Sequence, residues 1–227
     1  MILAEADMRV MMLGIAWVVA ATLGVDAQNP IDPNRFEPDI QKFEAADKAA
    51  APAKGGIVFI GASSFARWTN LGESFPGLPV VNRGFGGSEL SEAVKYAPRI
   101  VVPHSPRVVV LYAGENDLNR GLTPDAIAGD FDRFLQVIHT SLPAARVVVI
   151  GLKPSLLRWK LRDGMQQTNT MIRTRCAADR QCRYVDPWPL MIGKDGTPKP
   201  EFFVADGLHM TPEGYKAWTT MLQPHLQ

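Results

Sequence analysis

The chain contains 227 residues, of which 46% are hydrophobic, and it carries 24 Lys and Arg against 23 Asp and Glu. This composition is typical of one globular domain and excludes a disordered chain. A formal net charge of +1 and only 2 cysteines exclude a strongly basic nucleic-acid-binding protein, a disulfide framework and a four-cysteine zinc site.

The N-terminal segment has the pattern of an export signal. An uncharged apolar run extends over Val10–Val25 behind Arg9, and small residues up to Ala27 occupy the positions that a signal peptidase reads. The run is shorter than the roughly 20 residues of a membrane-spanning helix, and an uncleaved anchor is the alternative. We therefore predict a signal peptide over residues 1–27 and one exported domain, periplasmic or secreted, over residues 28–227. No stable membrane span is expected after cleavage.

Export bears on the two cysteines, Cys176 and Cys182, which lie six positions apart. In an oxidising compartment they could close one short loop, and two free thiols are the alternative. Cleavage would also remove one basic and three acidic residues and bring the formal net charge to about +3. So modest a charge favours an uncharged substrate over a polyanion.

Two types of element alternate along the rest of the chain. Short apolar runs rich in β-branched residues predict buried strands at Ile57–Ile60, Pro79–Val81, Val108–Leu111, Val147–Ile150 and, more weakly, Tyr184–Val185. Helices are predicted at Phe36–Ala50, Ser88–Tyr96, from Pro124 with Thr123 as its cap, Gly164–Ala178 and Pro212–Leu222. The alternation predicts an α/β fold, a three-layer α/β/α sandwich around a parallel sheet.

Ligands of such sheets bind at the carboxyl ends of the strands, so the residues after each strand are candidates for a site. Ser63 follows the first strand in a tight turn, where it could serve as a nucleophile or as a helix cap. Gly87 ends the NRGFGG segment after the second strand, where a backbone N–H could bind an oxyanion. A phosphate loop would look similar, but the glycine spacing matches neither the dinucleotide nor the P-loop motif.

The third strand is followed by Glu115-Asn116-Asp117. The Asn116 side chain could donate to an oxyanion while Asp117 orients the loop, and an Asx turn is the alternative. The two carboxylates suggest a metal, but no His or Cys lies at ligand spacing.

Asp206 and His209 lie three positions apart before a predicted helix. At this spacing a carboxylate can bind one ring nitrogen of the histidine and leave the other free as a base. The remaining histidines are poorer candidates, since His104 is in a proline-flanked loop, His139 is on an amphipathic helix and His225 is terminal.

The sequence resembles the SGNH (GDSL-like) hydrolases over nearly all of the mature chain. Four segments carry the resemblance in the order of the family: FIGASSFARW, VVNRGFGG, LYAGENDL and ADGLHMTPEGY. The resemblance implies the SGNH hydrolase fold, with a flavodoxin-like parallel sheet of about five strands, and no cofactor or metal. Ala62 departs from the family pattern, in which Asp is commonest at that position.

By the same resemblance, Ser63 would be the nucleophile, His209 the general base and Asp206 its orienting carboxylate. The oxyanion hole would comprise the N–H groups of Ser63 and Gly87 and the side chain of Asn116. Two alternatives remain open, Ser64 for the nucleophile and Gly84 for the glycine.

The expected function is hydrolysis of small-molecule or carbohydrate esters, with short acyl or O-acetyl groups, by an exported serine esterase. The alternatives are a non-catalytic exported carbohydrate- or acyl-binding domain and a carbohydrate O-acetyltransferase. Four side chains near the first and fourth strands are candidates for the substrate pocket: Arg67, Trp68, Arg158 and Trp159. Ordinary packing is the alternative for each of them.

Overall fold

The fold is organised around a five-stranded parallel sheet in a computed structural model that describes residues 32–227, so the predicted signal peptide lies outside the described residues. The strands are β1 (Ile57–Gly61), β2 (Val80–Gly84), β3 (Val108–Tyr112), β4 (Arg146–Ile150) and β5 (Cys182–Val185). The helices are α1 (Glu37–Ala49), α2 (Ser63–Ala66), α3 (Leu71–Ser74), α4 (Leu90–Ile100), α5 (Glu115–Arg120), α6 (Pro124–Ser141), α7 (Arg162–Ala178), α8 (Trp188–Met191) and α9 (Pro212–Leu222). Short 3-10 helices cover Val102–His104, Trp159–Leu161, Pro200–Phe202 and Gln223–His225. Within residues 32–227 no helix has the length and hydropathy to cross a membrane.

The strand order is β2-β1-β3-β4-β5, and all neighbouring strands are parallel. Side chains alternate between the two faces, so Val58 and Ile60 pack under α1, α4, α6 and α7, whereas Ile57 and Phe59 pack under α2, α3, α8 and α9. Both faces are covered, which explains why the inner strands β1, β3 and β4 are built around continuous apolar runs. The predicted three-layer α/β/α sandwich is confirmed.

The helix predicted over Ser88–Tyr96 differs from α4 at both ends. It begins at Leu90, because Glu89 is the N-cap residue and forms a capping box with Glu92. It continues past the exposed Pro98 to the fully buried Ile100, whose packing in the core outweighs the hydrogen bond that proline cannot donate.

The short helices α3, α5 and α8, which have six residues or fewer, were not predicted from the sequence, whereas α2 follows the turn for which a helix cap was one interpretation. A single turn is too short to show a helical period, and its stability comes from tertiary packing.

A disulfide joins Cys176, in the last turn of α7, to Cys182, the first residue of β5, with a Cα–Cα distance of 4.8 Å. The predicted bridge is therefore confirmed, and the two free thiols are not found. The bond ties α7 to the edge strand that follows it.

Two glycines set the position of the turn after β1. A Cβ on Gly61 would lie 1.9 Å from the carbonyl oxygen of Tyr112, and the φ of Gly61 is +150°. A Cβ on Gly84 would lie 2.3 Å from the backbone nitrogen of Ala66. Only glycine allows these close approaches, which bring α2 and its first residue, Ser63, against the ends of β2 and β3.

Candidate active site

A chain of hydrogen bonds links three residues from two segments, since Ser63 follows β1 whereas Asp206 and His209 share a turn before α9. Ser63 Oγ lies 3.0 Å from His209 Nε2, and His209 Nδ1 lies 2.6 Å from Asp206 Oδ2. A carboxylate can only accept, so Nδ1 carries the proton and Nε2 is left as an acceptor. The hydroxyl of Ser63 therefore donates to a ring nitrogen that can take its proton.

Asp206 is held by its own turn. Its Oδ1 accepts from the backbone N–H groups of Leu208 and His209, at 2.9 Å each. Partial burial raises the pKa of Asp206, but the hydrogen bonds from the His209 ring and from the two N–H groups outweigh it and hold that pKa well below its usual range. The carboxylate therefore stays ionised and orients the imidazole.

The structure brings Ser63, and not Ser64, to His209. Ser63 is half-buried, whereas the Ser64 side chain is in the interior and its carbonyl oxygen accepts from the Tyr215 hydroxyl at 3.0 Å. Successive residues at the start of α2 point in different directions, which explains why adjacent serines have different surroundings.

A cavity of about 440 Å³ lies over Ser63 and His209 at the carboxyl edge of the sheet. It is lined by Ser63, Ala66, Arg67, Gly86, Gly87, Asn116, Arg158, Leu208 and His209. A second cavity of about 610 Å³ along α9 also includes Arg67 but none of the three hydrogen-bonded residues. The smaller cavity is therefore the one in which a ligand can reach the Ser63 hydroxyl.

The backbone N–H groups of Ser63 and Gly87, which both line this cavity, are available to a ligand. Gly87 has a φ of +83°, in the region that favours glycine. In the part of the chain that the structure describes, neither the Ser63 N–H nor the Gly87 N–H donates to another group. Gly84, the alternative to Gly87, lies within β2 against α2 and does not line the cavity.

The Asn116 side chain is held from two sides. Its Nδ2 donates to the carbonyl oxygen of Ser88 at 2.8 Å, and its Oδ1 accepts from Arg158 Nη2 at 2.8 Å. The amide thus bridges separate segments instead of closing an Asx turn in its own loop. One hydrogen on Nδ2 has no partner among residues 32–227, so it is available at the cavity.

Asp117 does not orient its own loop as expected but binds the start of α4. The side chain is fully buried, and its two oxygens accept from the Leu90 N–H at 3.1 and 3.3 Å. Burial, opposed by this hydrogen bond and reinforced by the charge of Glu89, raises the pKa of Asp117 to about 7.

The four side chains expected near the substrate have different positions. Arg67 and Arg158 line the cavity. Trp68, two residues after the end of α2, is fully buried, and its Nε1 donates to Ser74 Oγ at 2.9 Å. The expectation that Trp68 contacts substrate is wrong, because its ring packs in the hydrophobic core. Trp159 does not line the cavity and packs on Trp188, with ring centroids 5.9 Å apart.

A buried ionic cluster near the cavity was missed from the sequence. Lys153, after β4, is 1% exposed, and its Nζ lies 2.7 Å from Glu115 Oε2, which also accepts from the Tyr112 hydroxyl. Burial lowers the pKa of Lys153, and the negative charge of Glu115 opposes that shift. The signal in the sequence is a lysine three residues beyond the end of an apolar strand. Across residues 32–227 no three His, Cys, Asp or Glu side chains are grouped to hold a metal ion.

Known proteins are similar to this chain in sequence. Residues 60–217 match the model of the GDSL-like lipase/acylhydrolase family. The chain is 29% identical over 182 residues to platelet-activating factor acetylhydrolase IB subunit alpha1 of Homo sapiens, an alignment that covers 77% of this chain and 75% of the human protein.

Solved structures share the fold. A GDSL-like lipase from Bacteroides thetaiotaomicron has a TM-score of 0.70 at 19% identity, covering 83% of this chain and 97% of that one. A catalytic mutant of an acetylxylan esterase from Geobacillus stearothermophilus has a TM-score of 0.59 at 13% identity, covering 77% and 95%. At these identities the likeness concerns the fold alone.

Proposed function

The chain belongs to the GDSL-like lipase/acylhydrolase family, and from this premise we propose that it is an exported serine esterase for short acyl or O-acetyl esters. The observation that carries the proposal is the continuous hydrogen-bonded chain from Ser63 Oγ through His209 to Asp206. Such a chain, next to unpaired N–H donors, is the arrangement that acyl transfer requires.

In the first step, Ser63 Oγ attacks the carbonyl carbon of the ester while His209 Nε2 takes the hydroxyl proton. Asp206 keeps the ring oriented and stabilises the imidazolium. The carbonyl oxygen becomes an oxyanion, which accepts hydrogen bonds from the N–H groups of Ser63 and Gly87 and from Asn116 Nδ2. The C–O bond to the alcohol then breaks, and His209 returns the proton to the leaving oxygen.

In the second step, water attacks the acyl-serine. His209 Nε2 takes a proton from that water, and the same three donors stabilise the second oxyanion. Collapse releases the carboxylic acid, and His209 reprotonates Ser63 Oγ. His209 accepts and returns every proton in both steps, so the proposed route requires no metal and no organic cofactor.

The choice of a short acyl group rests on the site and on the relatives. The cavity of about 440 Å³ is in the lower part of the range for small-molecule sites, and among its lining residues only Ala66 and Leu208 are aliphatic. The human relative is named as an acetylhydrolase. Hydrolysis rates of p-nitrophenyl esters from acetyl to palmitoyl test this choice. The maximum is expected at two to four carbons, and a maximum at palmitoyl would contradict it.

Labelling with a fluorophosphonate tests the nucleophile. We expect wild type and Ser64→Ala to be labelled and to hydrolyse p-nitrophenyl acetate, and Ser63→Ala to do neither. Labelling of Ser63→Ala would refute the assignment. Wild-type protein that is neither labelled nor active would favour the non-catalytic binding domain.

An O-acetyltransferase uses the same groups and differs only in the acceptor. The test is turnover of p-nitrophenyl acetate in the presence of a soluble oligosaccharide. If the enzyme is a hydrolase, the amount of acetate released should equal the amount of p-nitrophenol released. A deficit of acetate matched by acetylated oligosaccharide would instead assign transfer.

Export is part of the proposal. It is supported by the apolar run over Val10–Val25 and by the disulfide between Cys176 and Cys182, since such bonds persist in oxidising compartments. N-terminal sequencing of protein recovered from the periplasm or the medium should begin just after Ala27. Recovery from the cytoplasm with residues 1–27 intact would contradict export.

A further inference from the structure

Arg158 is a buried cation that forms no ion pair with any carboxylate of residues 32–227. Only 9% of the residue is exposed, and its Nε is buried without a hydrogen-bond partner. The bond from its Nη2 to Asn116 Oδ1 is the hydrogen bond that holds the guanidinium. Arg158 and Asn116 both line the cavity beside Ser63.

The other buried Arg and Lys side chains of the described region have carboxylate partners. Arg83 pairs with Asp47, and Lys153 lies 2.7 Å from Glu115. Burying a charge without a partner costs stability. The position of Arg158 is therefore explained poorly by stability and better by a role in the cavity.

The bond to Asn116 decides which way the amide points. A guanidinium has only donors, so it selects the amide oxygen and excludes the orientation in which the NH₂ group faces it. With Oδ1 held by Arg158, one Nδ2 hydrogen binds the Ser88 carbonyl and the other is left for the cavity. The positive charge of the Arg158 guanidinium next to Oδ1 also polarises the amide, which makes that N–H a stronger donor.

We propose that Arg158 is a positioning residue for the oxyanion hole, which acts through Asn116 by locking and polarising its amide. The inference rests on the proposed esterase function. It adds a specific role to the sequence-based expectation that Arg158 lies at the substrate pocket. Because the oxyanion forms only in the transition state, loss of Arg158 lowers kcat and leaves KM nearly unchanged.

Steady-state kinetics on p-nitrophenyl acetate test the inference with a double-mutant cycle of Arg158→Met and Asn116→Ala. Loss of a whole oxyanion donor costs about 10²–10³ in kcat, so Arg158→Met, which leaves the donor in place but free to rotate, should lower kcat about 10- to 100-fold. In the Asn116→Ala background the same change should cost less than about threefold. Arg158→Lys should recover part of the loss, because it keeps the charge and a donor without the planar fork.

A thermal melt separates positioning from folding. Arg158→Met removes an unpaired buried charge, so its Tm should lie within about 2 °C of wild type or above it. Arg162→Met is the matched control, since Arg162 is exposed, begins α7 four residues later and does not line the cavity, and it should keep the wild-type kcat.

The outcomes separate this inference from the proposed function. An equal loss of kcat in both backgrounds, or a rise in KM alone, would overturn the inference and leave the esterase intact. A Tm lowered in proportion to activity in both the Met and Lys variants would assign Arg158 a structural role and also overturn it. A wild-type protein without esterase activity would refute the proposed function, and the inference with it.

Discussion

Ser63 Oγ and His209 Nε2 lie 3.0 Å apart although 146 residues separate them along the chain. Ser63 begins the helix after β1, and His209 lies just before α9. The parallel sheet accounts for the contact, because both segments emerge at the carboxyl edge of the strands. The four predictions below follow from this site and from the elements that support it.

Asn116→Ala should lower kcat for p-nitrophenyl acetate by about 10²–10³, because it removes one hydrogen-bond donor to the oxyanion. KM should change little, since the donor acts on charge that develops in the transition state. A fluorophosphonate should still label the Asn116→Ala variant, but at a lower rate than wild type. Asn119→Ala, an exposed position in the same helix α5, is the control. Equal activity of wild type and Asn116→Ala would remove Asn116 from the oxyanion hole.

Asp206→Asn should lower kcat by about 10³–10⁴, because an amide can present its NH₂ group to Nδ1 and stabilise the wrong tautomer of His209. Steady-state rates at pH 8 provide the measurement, where the low pKa of Asp206 keeps the wild-type carboxylate ionised. Asp163→Asn, an exposed carboxylate in α7, should be fully active. A loss below tenfold for Asp206→Asn would show that another group orients the ring.

Asp117→Asn should raise the stability of the protein at pH 8, and the gain at pH 5 should be much smaller. Burial raises the native pKa of Asp117 to about 7, against about 3.9 in an unfolded chain. Between these values the native state holds a proton that the unfolded state has lost, so this group's contribution to stability falls as pH rises toward 7. Asparagine keeps an oxygen for the Leu90 N–H and has no charge to bury.

The measurement is Tm at the two pH values, with Glu73→Gln as a control for removal of an exposed carboxylate. The Tm of Asp117→Asn should exceed wild type by a few degrees at pH 8. An equal difference at both pH values would contradict a raised pKa.

Replacing Cys176 and Cys182 together by Ala should lower the free energy of unfolding by about 2 kcal/mol, the chain-entropy value for so short a loop. Neither residue lines the cavity beside Ser63, so kcat should be unchanged. Urea unfolding and an esterase assay measure the two quantities. Wild type under reducing conditions should behave like the double variant, and a fall in kcat at full folding would show that the bridge affects the site.

Local patterns in the sequence predicted much of the architecture. Continuous β-branched runs identify the three inner strands, β1, β3 and β4, because both of their faces are buried. The edge strands β2 and β5 are more polar and were matched only in part. The pairing of Asp206 with His209 was also accessible, because three positions within one turn place a carboxylate beside a ring nitrogen. Helix α9, which begins behind a Thr cap with Pro212, has the predicted bounds.

Predictions failed where tertiary packing outweighs local preference. Trp68, which follows the single turn of α2, packs in the core, but so short a helix shows no period that would separate buried from exposed positions. The start of α4 moves to Leu90 because a capping box and the carboxylate of Asp117 satisfy its first N–H groups. The capping box is local, but Glu is not among the usual N-cap residues, and the contact with Asp117 joins residues 27 positions apart.

The sequence by itself determined which residue types follow each strand and hence the chemistry open to the site. Only the tertiary structure decided which of them meet. Hydrogen bonds act over about 3 Å, so the contact of His209 with Ser63 instead of Ser64, and the bond from Arg158 to Asn116, depend on how separate loops pack at the sheet edge. Strand pattern specifies that edge, but the orientation of each side chain on it comes from packing between segments that are distant in sequence.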